Sequence, residues 1–199
     1  MAEALLTVGH GTASQAQFTA LLGDAGVTRL VDVRRYPGSR AHPHVGRDAL
    51  AEWLPTIGVD YRWEPRLGGR RRVPADSPDR WWRVAAFRGY AAHMRTPEFV
   101  AAVDDLLAGV VLAAPSTAGA APSTAGAAPS AAGARDPRTV IMCSESLWWR
   151  CHRRLVADFV VGVRGVEVCH LDHRGHLTTH TLAAGARLTP EGTLVYDRD

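Results

Sequence analysis

Two spacings of apolar residues run through this chain. Leu5 to Val8 is a short apolar run closed by Gly9, His10 and Gly11, which predicts a buried strand. Ser14 and Gln17 then form the pattern of a capping box. Phe18, Leu21, Leu22 and Ala25 follow at helical spacing, and Gly26 stops the helix. Arg29 to Val33 reads as a second strand. A βαβ unit is thus complete by residue 33, which points to a parallel sheet. Asp48 to Leu54 predicts a helix, and residues 58–63 alternate as a short strand. Pro97-Glu98-Phe99 opens a helix running through Val103, Leu106 and Leu107.

Thr139 to Met142 reads as another short buried strand. Leu147, Cys151, Leu155 and Phe159 at four-residue spacing predict a helix behind it, capped by Ser144 or Ser146. Gly165 to Leu171 is a further strand, Gly175 a turn, and Leu177 to Thr181 a returning strand. The last residues are polar and are expected to be loose. The pattern predicts one α/β domain over residues 1–199. Its form is Rossmann-like, a mostly parallel sheet with helices on both faces. Residues 113–134 hold near-copies of the unit AAPSTAG, with Pro and Gly in each and no large apolar side chain. A flexible insertion is expected there.

Composition narrows this picture. No run of eighteen apolar residues occurs, so no membrane span is expected. The start, MAEALLTVGHG, lacks the features of a signal peptide, and cytoplasmic residence is the expectation. The 3 Cys predict free thiols rather than a disulfide framework. Net charge is +3, and all 23 basic residues are Arg, with no Lys. Arg grips phosphate bidentately and stacks on bases, so an anionic partner, nucleic acid or nucleotide, is expected. A GC-rich codon bias gives the same excess without such a partner.

The densest chemistry lies in Cys143-Ser144-Glu145-Ser146 with Cys151-His152-Arg153 behind it. In open α/β sheets, ligands bind at the carboxyl ends of strands, where Cys143 and Glu145 fall. The expected catalytic groups are Glu145 as general base, Cys143 as nucleophile or pocket wall, and His10 or His170 in proton transfer. Arg34 and Arg40 are expected to hold phosphate, with Arg34 the stronger candidate. Ser39, Gly11, Gly68, Gly69, Tyr90, Cys151, His152 and Arg153 are expected to complete the substrate-binding surface. The loop Arg66 to Arg72 lacks the Gly-Lys-Ser/Thr ending of a Walker loop. The stretch Cys169-His170, Asp172, His173, His176 and His180 fits no standard zinc spacing. Neither metal nor cofactor is therefore expected.

Several segments together resemble a known family. They are Val8-Gly9-His10, Leu30-Val31-Asp32-Val33-Arg34 with Pro37, Ser39 and Arg40, Leu67-Gly68-Gly69, and Met142-Cys143-Ser144-Glu145 with Cys151-His152-Arg153. In that order they resemble the bacterial family known as domain of unknown function 488. The resemblance implies a cytoplasmic α/β domain with these positions gathered at one site, and no particular activity. A weaker likeness is to rhodanese and Cys-phosphatase domains, which also pair an Asp-x-Arg strand with a Cys at a strand-to-helix turn. Phosphatases need Arg six residues after the Cys. Trp149 stands there, and Glu145 would repel a phosphate held in such a loop.

Three functions fit these residues. The first is hydrolysis of a nucleic acid or nucleotide, including cleavage of a base–sugar bond. The second is sulfur transfer or redox chemistry at Cys143. If both residues lay on one helix, Cys151 would sit about 12 Å away, too far for easy pairing. The third is non-catalytic nucleic-acid binding.

Overall fold

The structure is a computed structural model that describes residues 4–111 and 138–198; the repeat insertion expected at 113–134 lies outside the described residues. Eight strands are described: β1 (Leu5–Gly9), β2 (Val27–Asp32), β3 (Asp60–Trp63), β4 (Arg138–Cys143), β5 (Val168–Leu171), β6 (Leu177–Thr179), β7 (Ala186–Leu188) and β8 (Leu194–Tyr196). Five α-helices accompany them: α1 (Gln15–Asp24), α2 (Arg47–Trp53), α3 (Ala85–His93), α4 (Pro97–Val111) and α5 (Arg153–Arg164).

Six strands form one sheet in the order β3-β2-β4-β1-β5-β6, parallel except for β6, while β7 and β8 pair as a separate hairpin. The fold is therefore α/β and Rossmann-like, as the hydrophobic pattern predicts. The predicted βαβ unit exists, but β4 lies between its two strands. Each strand alternates sides with period two. Leu6, Val8, Leu30, Val140 and Met142 pack on one face with Phe18 and Leu22 of α1 and Leu50 of α2. Leu5, Val31, Val33, Ile141 and Cys143 face the other side, against Tyr90 of α3, Phe99 and Val103 of α4, and Leu155 and Phe159 of α5. Neighbouring strands β1 and β4 thus lead into helices on opposite faces. Their carboxyl ends form the kind of crevice where open α/β sheets bind ligands.

Two expectations are corrected. The helix after β4 does not begin near Ser144 or Ser146. A short 3-10 turn, Trp148–Arg150, comes first, Cys151 is extended, and α5 starts only after His152 as its N-cap. No serine caps it. The four-residue spacing that reads as one helix spans a turn, an extended residue and a helix. The C-terminal residues are not loose either. Leu194, Val195 and Tyr196 are buried, and the Tyr196 hydroxyl donates to Asp158 Oδ2 at 2.8 Å. Their apolar alternation is short, but α5 supplies the partner surface. Among the described residues, no helix is long and apolar enough to cross a membrane.

Candidate functional site

At the carboxyl edge of the sheet lies a pocket of about 250 Å³. Its walls come from the loop after β2, the Gly69-Arg70 loop, α3 and the segment from Cys143 to His152. The closed end is sulfur and imidazole. Cys143 and Cys151 are free and buried. Their Sγ atoms and His152 Nδ1 all lie within 4.8 Å of one another. His152 Nδ1 is 3.8 Å from Cys143 Sγ and 3.6 Å from Cys151 Sγ. The helical estimate of about 12 Å between the cysteines fails because Cys151 is not on α5. The turn at Trp148–Arg150 folds it back over the end of β4.

The other imidazole nitrogen fixes the ring. His152 Nε2 lies 3.1 Å from the Val33 carbonyl oxygen, which can only accept. Nε2 therefore carries a proton, and in the neutral ring Nδ1 presents its lone pair to the sulfurs. Gly69 leaves room for this. A Cβ at that position would lie 3.1 Å from His152 Nδ1. The Cys143 thiol is held well below its ordinary range by the hydrogen bond from Cys151, against the opposing effect of burial, with the contact to His152 and the Arg153 charge acting the same way as Cys151. Burial pushes the Cys151 thiol up, and its hydrogen bond to Cys143 adds to that.

Glu145 lines the pocket and is half-buried. Three contacts set its place. Its carboxylate accepts from Leu147 N–H at 3.2 Å. Its main-chain carbonyl accepts from the buried Arg153 guanidinium. Gly9, at the end of β1, lets that carbonyl come close, since a Cβ there would fall 1.9 Å from the oxygen. Arg153 therefore stands behind Glu145 rather than in the pocket lining, and it reaches toward Thr7 Oγ1 at 3.5 Å.

Arg34, Arg35, Arg70 and Arg150 also line the pocket, beside Tyr36, Phe87 and Tyr90. Arg34 is buried, and its guanidinium is already engaged. It donates to both Asp32 carboxylate oxygens, at 2.8 and 2.6 Å, and to the Val45 carbonyl at 2.7 Å. Its expected role as the main anion grip is thus weakened by its own counter-ion. Arg35 and Arg70 are freer. Both guanidinium groups lie 5.6 Å from the Tyr36 ring centroid, and Arg35 donates to the Arg70 carbonyl. Arg70 holds a positive φ of 61°, unusual for a side-chain-bearing residue.

The other expected residues fall elsewhere. His10 is buried behind Arg34, with Nε2 3.3 Å from Arg34 Nη1 and Nδ1 on the Gly11 carbonyl. Burial, and next the Arg34 charge, lower its pKa to about 4. His170 is also outside the lining. Its Nδ1 lies 2.7 Å from Thr7 Oγ1, its Nε2 2.9 Å from His180 Nδ1, and the ring is stacked on Trp148 at 3.9 Å. Arg40 is exposed and Ser39 accepts from His42 N–H; neither lines the pocket. Gly11 packs on Ser146, and Gly68 on the Arg35 backbone. Arg35, Tyr36, Arg70, Phe87 and Arg150 complete the pocket but were not among the expected site residues. Arg35, Tyr36, Arg70 and Arg150 share a signal of position, each following a strand end or flanking a residue that was expected, whereas Phe87 lies one helical turn before Tyr90 on α3.

These features define an α/β protein with a cysteine–histidine pocket at the carboxyl edge of a mostly parallel sheet. Residues 14–113 and 116–160 match the family described as Domain of unknown function DUF488, and the chain belongs to it. No curated protein and no solved structure matches the chain.

Proposed function

We propose that this protein hydrolyses a nucleotide or a base of a nucleic acid held in the pocket, with Glu145 as the general base for the attacking water. The observation that carries this reading is the company Glu145 keeps. One carboxylate shares a pocket with four Arg and three aromatic rings. Arg35, Arg70 and Arg150 suit phosphate, and Tyr36 and Phe87 offer faces for a base. A half-buried carboxylate beside them is suited to accept a proton from water. The test is an assay for free base or ammonia released from nucleotides and short oligonucleotides. Wild-type release that falls at least 100-fold in Glu145→Gln supports the reading. Release that survives Glu145→Gln, or none from wild type, overturns it.

A second reading is thiol chemistry at Cys143, and the closeness of its sulfur to Cys151 favours it. It differs in two readouts. Thiol catalysis is abolished by iodoacetamide at Cys143 and leaves Glu145→Gln active.

A further inference from the structure

We propose that Cys143, Cys151 and His152 bind one borderline-soft divalent ion, zinc foremost, with a fourth coordination position open to the pocket. Two thiolates and an imidazole are a donor set that such ions prefer over calcium or magnesium. The spacing already fits. A tetrahedral zinc with ordinary Zn–S and Zn–N lengths holds S and N about 3.6 Å apart. The observed Sγ–Nδ1 separations are 3.8 and 3.6 Å. The two sulfurs lie within 4.8 Å of each other, against about 3.8 Å for two thiolates on one tetrahedral zinc, so an ion can enter with a shift of no more than about 1 Å.

Support from the surroundings is independent of these distances. Metal-bound His residues usually give their other N–H to a carbonyl or carboxylate, which orients the ring. His152 does this to Val33 at 3.1 Å. Gly69 keeps the space beside Nδ1 clear of a side chain. All three donors line the same pocket as Glu145. Three protein ligands facing a cavity is the pattern of a catalytic zinc site, whereas structural sites close with four. Spacing alone hides this site, because Cys143…Cys151-His152 matches no standard sequence pattern.

Ion binding stands apart from the hydrolase reading. Only the role of the ion rests on it: a water in the fourth position would give a proton to Glu145 and add as hydroxide, either at the sugar carbon as the base leaves or at a ring carbon as ammonia leaves, with Glu145 returning the proton to the leaving group.

The experiment is elemental analysis of the full chain after loading with zinc and extensive dialysis, followed by cobalt substitution and absorption spectroscopy. One zinc per chain and cobalt–thiolate charge-transfer bands are the expected result. Cys151→Ser and His152→Ala are expected to lose at least tenfold in affinity for the ion. Cys169→Ser, whose sulfur lies near Glu167 and Thr179, is expected to keep it. Wild-type protein that stays metal-free after loading, or that carries a Cys143–Cys151 disulfide instead, overturns the site without any variant having to fold. Glu145→Gln separates the two proposals. It is expected to keep its zinc and lose turnover. Retained zinc with retained turnover ends the hydrolase reading alone, whereas wild-type turnover in protein that holds no zinc after loading ends the metal site alone.

Discussion

Arg153 holds Glu145 by the backbone: its buried guanidinium, rooted in the first turn of α5, donates to the Glu145 carbonyl above the end of β1. The carboxylate's place in the pocket therefore depends on a residue that does not line it. Arg153→Met keeps much of the apolar bulk but removes the donors. It is expected to cost about 2 kcal/mol of stability, since a charged hydrogen bond is lost and a partly buried carbonyl is left unpaired. Urea denaturation measures this. If Arg153 positions Glu145, turnover of the folded variant falls while ligand affinity changes little. A loss confined to affinity would remove that role.

The pocket's cations are not equivalent. Arg34 is neutralised by Asp32, while Arg70 and Arg35 meet over Tyr36. Arg70→Ala is expected to weaken nucleotide binding about tenfold and to flatten its salt dependence. Turnover at saturation should change little. Calorimetric titration at two ionic strengths decides it, and an unchanged salt slope would exclude phosphate contact by Arg70.

Acid sensitivity should come partly from His170. Burial, followed by the charges of His180, Arg153 and Arg154, lowers its pKa to about 3 from an ordinary 6.5. Thr7, Trp148 and His180 pack around the ring, and Asp158 holds His180 from α5. The neutral form is favoured on folding. Its contribution is complete above pH 6.5 and is lost as pH falls from there toward 3. The slope is at most about 1.4 kcal/mol per pH unit for this one group. His170→Gln should flatten the stability profile across that window, as measured by denaturant midpoints. An unchanged profile would show that His170 does not titrate with folding.

The tail is tied to the core through Tyr196, whose hydroxyl meets Asp158 while Asp158 also accepts from His180 and from the Ala183 N–H. Tyr196→Phe is expected to cost about 1–2 kcal/mol, because the buried Asp158 carboxyl loses a donor. Thermal melting reports this directly. A neutral effect would mean that the hydroxyl's bond to Asp158 contributes little to the fold.

Much of the fold was legible in the sequence because strand and helix periods are local. The Ser14 cap and the apolar runs of β1, β2 and β4 needed no distant information. What was not legible depended on chain reversals. The break at Cys151 turns a four-residue spacing into a turn and a helix, and it brings two sulfurs together that a continuous helix would separate. The site was legible where a residue sits at a strand end, as Cys143 and Arg34 do. It was not where burial decides. His10 and His170 also sit at strand ends, but Arg34 and Trp148 cover them. Neither residue's sequence neighbours reveal that.

The most direct measurement is NMR mapping of where a nucleotide binds. Backbone amide shifts are recorded while a nucleoside monophosphate is titrated into the full chain. The largest shifts are expected at Arg35, Tyr36, Gly69, Arg70, Ser144 and Glu145, which meet only around this pocket. Saturable shifts clustered on another surface, or no shifts at millimolar nucleotide, would contradict the placement of the ligand.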